Sequence, residues 1–132
     1  MMVMKWFFMG LPLMLWLAIG CAETIHCPAV EMIQAGQWGD WLPLYREGEE
    51  LAFDSDVLQF QQQIMGFKLA RWSTTYLESA HCFYYGSGPV MDRIVFAHDA
   101  WQPIKNPVWD WLLSSRLAVC QSEWVSDCLF IL

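Results

Sequence analysis

Cysteines that follow a short apolar leader constrain this chain more than any other feature of its sequence. The chain begins MMVMKWFFMGLPLMLWLAIGCAET, and Lys5 is the only charge before Glu23. The apolar run at 6–20 is shorter than the roughly 20 residues that a membrane-spanning helix needs, and Pro12 interrupts its backbone hydrogen bonds. One positive charge, a short apolar stretch and small residues after it are typical of a secretory signal peptide. We therefore predict a signal peptide at 1–22.

Two processing sites are open at the end of this leader. Cleavage after Ala22, with Gly20 at position −3, would leave Glu23 as the new N-terminus and is the site that we favour. The alternative is the loose lipoprotein box formed by residues 18–21, where cleavage would leave Cys21 as a lipidated N-terminus. An uncleaved N-terminal anchor is a third option. We expect a bacterial periplasmic protein, or alternatively a lipoprotein anchored in the envelope.

Four cysteines remain after cleavage, and an even number in a short exported chain predicts two disulfides. Of the three possible pairings we predict Cys120–Cys128, which brackets the short loop QSEWVSD, together with Cys27–Cys82. A zinc site is the alternative use of four cysteines. Zinc sites commonly contain close Cys-x-x-Cys pairs, and the sequence has none. We predict no metal and no cofactor.

The chain after the leader is acidic and has the length of one domain, 23–132. It carries fourteen acidic residues and six basic ones, which gives a net charge of −8. Nucleic acids and anionic membrane surfaces bind mainly through lysine and arginine. We therefore expect no nucleic-acid partner, and membrane contact only through the leader or a lipid anchor. The basic residues are Arg46, Lys68, Arg71, Arg93, Lys105 and Arg116.

Short segments with turn residues between them predict a mainly β fold, a single small antiparallel β domain with one or two short helices. SAHCFYYGSG predicts a strand and DRIVFAHDA its hairpin partner. We expect a hairpin turn at 47–49 and Pro43 at a sheet edge or strand start. A short helix should begin at Pro28 and end at Gly36. RLAVCQSEWVSDCLFIL predicts a closing pair of strands joined by their own disulfide.

Three further segments need separate treatment, because their sequence patterns fit more than one structure or do not alternate cleanly. Residues 58–66 fit either a helix or a strand, whereas Asn106-Pro107 could open a short helix through Leu113. In the segment GFKLARWSTTY, alternation places Phe67, Leu69 and Arg71 on one face of a strand. Lys68, Ala70 and Trp72 would lie on the other face, which predicts a sheet that is partly covered on both sides.

Seven of the nine tryptophans lie after the leader, and we expect most of them to form the core. Those most open to display are Trp109 and Trp111, which would share one face of a strand, and Trp38 and Trp41, which flank Gly39-Asp40. Displayed aromatic side chains mark protein interfaces or sugar-binding surfaces. Protein contact is the commoner of these two uses.

The sequence lacks a catalytic motif with the required spacing, and we predict that the chain is not an enzyme. Cys82 and His98 could act as a nucleophile and base only if Cys82 were unpaired. Asp54-Ser55-Asp56 resembles a metal- or nucleotide-binding DxD motif but fits a solvated turn. Three hypotheses remain: a non-catalytic protein that binds another envelope protein, a carbohydrate- or peptidoglycan-binding module, and a small hydrolase that uses His98 with a nearby acid.

The order of cysteine and aromatic segments resembles a family of small exported bacterial proteins. These segments are Cys27-Pro28, Gly36-x-Trp38, FKLARW, AHCFYY at 80–85, a tryptophan-rich stretch, Cys120 and DCLF at 127–130. The order is similar to that of the EirA periplasmic proteins associated with the Dot/Icm type IV secretion system. That family would have proline after the last cysteine, where this chain has Leu129. The resemblance implies a periplasmic accessory role through protein contacts.

Overall fold

The computed structural model describes residues 23–76, 78–112 and 114–132. The predicted signal peptide and the two processing alternatives at Ala22 and Cys21 therefore lie outside the described residues. Two short 3₁₀ helices occupy Pro89–Asp92 and Val125–Asp127. The remaining elements are β1 (Thr24–His26), α1 (Val30–Gln34), β2 (Leu42–Tyr45), α2 (Asp54–Gln63), β3 (Ile64–Ser73), β4 (Ala80–Gly86), β5 (Ile94–His98), β6 (Gln102–Pro103), β7 (Trp109–Leu112), β8 (Leu117–Cys120) and β9 (Leu129–Ile131).

The strands form two antiparallel sheets, which confirms the predicted mainly β fold. The large sheet has the order β2-β5-β4-β3-β8-β7, and the small sheet has the order β1-β9-β6. Side chains from both helices and from β9, such as Ile33, Phe60 and Phe130, pack in one core with alternate residues of the large sheet. We call the side of the large sheet that faces this core its inner face. None of the helices in the described part of the chain is long and apolar enough to cross a membrane.

Most predictions that depend on local turn chemistry are confirmed. The short helix α1 begins at Val30 rather than at Pro28 and ends at Gln34, and Gly36 just beyond it has a φ of 72°, the left-handed conformation that glycine adopts most easily. The chain reverses around 47–49, where the amide of Tyr45 donates to the Glu50 carbonyl at 2.7 Å. Pro43 lies in the edge strand β2, and β4 pairs with β5 as its hairpin partner.

Two local assignments need correction. The ambiguous segment 58–66 forms the end of α2 up to Gln63 and the start of β3 from Ile64, without a connecting loop, so the strand alternative is wrong for 58–63. Val57 and Phe60, three positions apart, are both buried against the core, which favours the helix. The prediction of a helix from Asn106 to Leu113 is also wrong. The side-chain oxygen of Asn106 accepts a hydrogen bond from the amide of Val108 at 3.0 Å, and this bond closes a turn. The strand β7 follows that turn.

The predicted faces of β3 are right for residues 69–72 but wrong for Phe67, because the strand contains two bulges. The register against β4 shifts between Ile64 and Gly66 and again between Phe67 and Leu69. Met65 and Lys68 are therefore extra residues without a direct partner on β4. As a result Phe67 is buried in the same core as Ala70 and Trp72, whereas Leu69 packs on the opposite, outer face of the sheet.

The predicted pairing of the last two strands is wrong, although both predicted disulfides are confirmed. Strand β8 pairs with β3 and β7 in the large sheet, whereas β9 belongs to the small sheet. The Cys120–Cys128 bridge therefore joins the two sheets, and so does Cys27–Cys82. Cys82 and Cys120 both lie opposite Ala70, one on each neighbouring strand. The two bridges consequently stand side by side at the inner face.

The outer face of the large sheet carries a second apolar cluster, which arginine side chains partly cover. The guanidinium carbons of Arg46 and Arg71 lie 5.1 and 5.0 Å from the ring centre of Phe83. His81 lies beside them with only 3% of its surface exposed, and the ring of Tyr76 meets it edge-on at 5.3 Å. Burial, together with a smaller contribution from the charge of Arg71, lowers the pKa of His81 to about 4.

Replacing both cysteines of one bridge by alanine should lower the free energy of unfolding, and the longer loop should matter more. The bridged cysteines are 55 and 8 positions apart in the sequence. Loop entropy alone gives upper limits of about 4 kcal/mol for Cys27–Cys82 and about 2.6 kcal/mol for Cys120–Cys128. Urea unfolding of residues 23–132 would measure both losses. Reductant should destabilise the unmodified protein but not a variant that lacks all four cysteines, and equal stability with and without reductant would contradict the interpretation.

The neutral, buried His81 should make the protein less stable in mild acid. Because its pKa in the folded state is about 4, against a usual value near 6.5, the unfolded chain binds a proton first as the pH falls. The loss should begin below pH 6.5 and level off below pH 4, at about 3 kcal/mol. Urea unfolding of His81→Gln should show a smaller fall across that range. Subtracting the pH profile of the variant's unfolding free energy from that of the unmodified protein removes the contribution of the carboxylates, which both share. Parallel profiles would contradict the lowered pKa of His81.

Candidate functional site

The four tryptophans that the sequence suggested for display do not form a common surface. Trp41 and Trp109 are 7% and 4% exposed, so the prediction of display is wrong for both. Their rings lie 6.3 and 5.0 Å from that of Phe130, which is fully buried in the core. Trp38 is half-buried and meets Phe96 edge-on, whereas Trp111 keeps 39% of its surface exposed.

The most exposed tryptophans in the described residues are Trp101 and Trp124, with 71% and 67% of their surfaces accessible. The sequence did contain a signal for Trp124. It lies within the seven residues between Cys120 and Cys128, and the two residues before it, Ser122 and Glu123, are polar, as is typical of an exposed loop.

The loop that carries Trp124 is held by hydrogen bonds as well as by the disulfide. The hydroxyl of Ser122 donates to the Asp127 carboxylate at 2.6 Å and accepts from the amide of Trp124 at 3.1 Å. The amide of Asp127 donates to the Trp124 carbonyl at 3.1 Å. These bonds fix the backbone on both sides of Trp124, so its exposed ring projects from a rigid support.

Beside this loop, one edge of β3 lacks a strand partner within the described residues. Strand β8 pairs with β3 from Ala70 to Ser73 and ends at Cys120, opposite Ala70. The chain then leaves the sheet to form the disulfide loop. From Ile64 to Leu69, β3 pairs only with β4. The two bulged residues, Met65 and Lys68, lie on this part of the strand, and Met65 is 67% exposed.

A groove of about 700 Å³ runs between this edge and the disulfide loop. Its lining includes exposed apolar side chains of three different segments, Met65, Tyr85 and Trp124. We call it the aromatic groove. Polar groups also reach it from α1, from β3 and from the loop. They belong to Glu31, Lys68, Ser122 and Glu123.

The position of Tyr85 in the aromatic groove depends on Gly66. The two residues are paired across β3 and β4, and the tyrosine ring lies over the glycine. A β-carbon at position 66 would overlap that ring, so the close approach requires glycine. Tyr85 is 54% exposed in this position. No sequence pattern indicates this contact, because it depends on the strand register that the bulges set.

The catalytic arrangements considered from the sequence are not assembled. Cys82 is bonded to Cys27 and cannot act as a nucleophile with His98. The Nδ1 atom of His98 lies 2.6 Å from the backbone carbonyl of Asp99, which accepts its hydrogen bond in place of a carboxylate. Asp56 of the DxD segment accepts from the Tyr45 hydroxyl. Across the three described stretches, no group of three metal-ligating side chains could hold an ion.

Comparison of the chain with models of protein families, with curated proteins and with solved structures finds no match.

The Ser122→Ala variant should loosen the loop that presents Trp124, because it removes the acceptor for one amide and the donor to Asp127. NMR relaxation of the Trp124 backbone amide is a direct measurement. We expect its order parameter to fall from the rigid range near 0.85 towards values below about 0.6. Ser126→Ala, at an exposed position of the same loop, is the matched control. Unchanged order in Ser122→Ala, or equal loss in both variants, would contradict a fixed loop.

Proposed function

We propose that this protein is a non-catalytic periplasmic binding protein whose aromatic groove holds an extended segment of another envelope protein. The observation that carries the proposal is the gathering of Met65, Tyr85 and Trp124 around one groove, each more than half exposed. Tryptophan, tyrosine and methionine are enriched where proteins meet, and tryptophan and tyrosine dominate binding energies there.

The rigidity of the groove supports this interpretation. Trp124 stands on a loop closed by a disulfide and by the hydrogen bonds of Ser122, and Tyr85 rests on Gly66 of the adjacent strand. Side chains that are already ordered lose little conformational entropy when a partner binds. Burying Tyr85 and Trp124 against a partner would therefore yield more binding free energy than burying the same residues on a mobile loop.

The unpaired edge of β3 explains why an extended segment suits the groove. Amides and carbonyls on the free side of a strand can form backbone hydrogen bonds with an added strand, while nearby pockets select its side chains. The bulges at Met65 and Lys68 limit the length of regular pairing and oppose indiscriminate association between sheet edges. A short partner segment could pair with the free edge of β3 within the length that the bulges allow, and an apolar side chain of that segment could pack on Trp124.

Export is part of the same proposal. Two disulfides in so small a domain are typical of oxidising compartments outside the cytoplasm. The signal-peptide pattern at 1–22 supports the bacterial periplasm as that compartment. The resemblance to the EirA proteins supports a partner within a type IV secretion apparatus.

Binding of a glycan such as peptidoglycan is the second candidate function. The exposed rings of Tyr85 and Trp124 could stack on sugars, and Glu31, Ser122 and Glu123 lie in the same groove as hydrogen-bonding groups. Protein contact accounts better for Met65 and for the strand edge, because neither is needed to stack a sugar.

Site-specific photo-crosslinking in the bacterium that makes the protein would test the first candidate. Benzoylphenylalanine placed at Met65 or at Trp124 should give one shared protein adduct, which the same probe at the exposed control position Trp101 should not give. Adding Tyr85→Ala should weaken that adduct. Once the partner is purified, Trp124→Ala should lower its affinity by ~2 kcal/mol, or about 30-fold.

The outcomes separate the two candidates. Identical adducts from all three positions, or adducts at Trp101 alone, would contradict protein binding in the aromatic groove. Peptidoglycan fragments can be titrated into a Trp101→Phe variant, in which Trp124 is the most exposed indole of the described residues. A saturable change in its fluorescence that Trp124→Phe abolishes would support the glycan candidate instead.

A further inference from the structure

A second cavity, distinct from the aromatic groove, lies at the end of the outer face of the large sheet. It has a volume of about 590 Å³ and occupies the space between the end of β3 and the turn that joins β7 to β8. Two arginines and four hydroxyl-bearing residues line it, namely Arg71, Arg116, Ser73, Thr75, Tyr76 and Ser114.

The charge of this cavity is opposite to that of the protein as a whole. Residues 23–132 carry fourteen acidic side chains and six basic ones, yet two of the six, Arg71 and Arg116, line the same cavity. Among the described residues that line it, none carries a carboxylate. The cavity is therefore a local region of positive charge on an acidic surface, as expected where an anion binds.

Arg71 is held in place before any ligand arrives. Its guanidinium carbon lies 5.0 Å from the ring centre of Phe83 and 5.5 Å from that of Tyr76. Its Nε atom is buried and has no hydrogen-bond partner among the described residues. Burial is the main cause of a lowered pKa for Arg71; Arg46 adds to the lowering, whereas Tyr76 and Glu49 oppose it. A partly buried cation with an unused donor favours an oxyanion as its partner.

The hydroxyl groups are held close to the arginines by the backbone. Ser73 and Thr75 share a hydrogen bond of 2.9 Å between their hydroxyls, and the Thr75 amide donates to Ser73 Oγ at 3.2 Å. The amide of Thr74 donates to the Arg116 carbonyl at 3.1 Å, which ties the two walls of the cavity together. Ser114, in the opposite wall, has a φ of 55°, a conformation that is strained for serine.

We propose that this cavity binds a compact oxyanion, a carboxylate or phosphate group of a small molecule, between the guanidiniums of Arg71 and Arg116. Both groups present several oxygens that the planar fork of arginine can bind with two hydrogen bonds. Further donors are the hydroxyl of Ser114 and whichever of the Ser73 and Thr75 hydroxyls accepts the hydrogen bond between them. This site is separate from the aromatic groove and does not depend on the function proposed for it.

Calorimetric titration of residues 23–132, with both disulfides formed, tests the proposal. Inorganic phosphate represents one source of the oxyanion and malonate the other, each against chloride at the same ionic strength. We expect saturable binding of at least one of them. Arg116→Gln should weaken it at least about tenfold. Arg116 is exposed, so this variant should keep its fold. Arg93→Gln removes another exposed arginine, which lies over Tyr45, and should bind as the unmodified protein does.

Mapping by NMR decides whether the anion occupies this cavity. The amide signals of Thr75, Ser114 and Arg116 should shift together on titration, whereas those of Gly66 and Trp124 in the aromatic groove should not. A larger response to phosphate or to malonate identifies the preferred group. Binding no stronger than that of chloride, equal loss in Arg116→Gln and Arg93→Gln, or shifts confined to other residues would overturn the proposal.

Discussion

Two disulfides that stand on either side of Ala70 hold the rest of this structure together. Ala70 is fully buried and lies opposite Cys82 on one neighbouring strand and Cys120 on the other. Their partners, Cys27 and Cys128, flank the paired residues that end β1 and begin β9. A small side chain at position 70 leaves room for both bridges. The small sheet, with strands of only two or three residues, is too short to be stable alone, and the bridges attach it to the large sheet.

One of these bridges also determines the geometry of the aromatic groove. Because Cys120 enters a bridge to the small sheet, β8 stops opposite Ala70, and the first part of β3 remains without a partner on that side. The residues that leave the sheet at this point form the loop that presents Trp124. The free strand edge and the exposed indole beside it are therefore two results of a single covalent bond. In this protein the bond that stabilises the fold also builds the candidate site.

The features that were predictable from the sequence depend on nearby residues or on covalent chemistry. The turn at Gly36, the β4–β5 hairpin and the Cys120–Cys128 bridge each follow from a local pattern, and the even count of cysteines indicates a second bridge. The separation of β8 and β9 into different sheets was not predictable, because it depends on contacts with distant strands. The bulges at Met65 and Lys68 were not predictable either. The alternation rule assigns side chains to the two faces of a strand on the assumption that each residue has one partner on the neighbouring strand, and a bulge breaks that assumption.

The candidate site was harder to predict than the fold for a related reason. Phe130, near the end of the chain, packs against Trp41 and Trp109, and both tryptophans are therefore buried in the core. The residues next to each tryptophan in the sequence do not indicate this burial. Tyr85 and Gly66 meet only after the strand register is set. Trp124 was the exception, because the two cysteines that bracket its segment and the polar residues before it already indicate a loop at the surface.

The order of the cysteines has a consequence for biogenesis. Within residues 23–132 each bridge joins consecutive cysteines, the first with the second and the third with the fourth. A polypeptide that crosses a membrane from its N-terminus exposes Cys27 and Cys82 to an oxidase before the other two arrive. Oxidation in the order of emergence would give the native connectivity directly, and a disulfide isomerase would have no wrong pairs to correct.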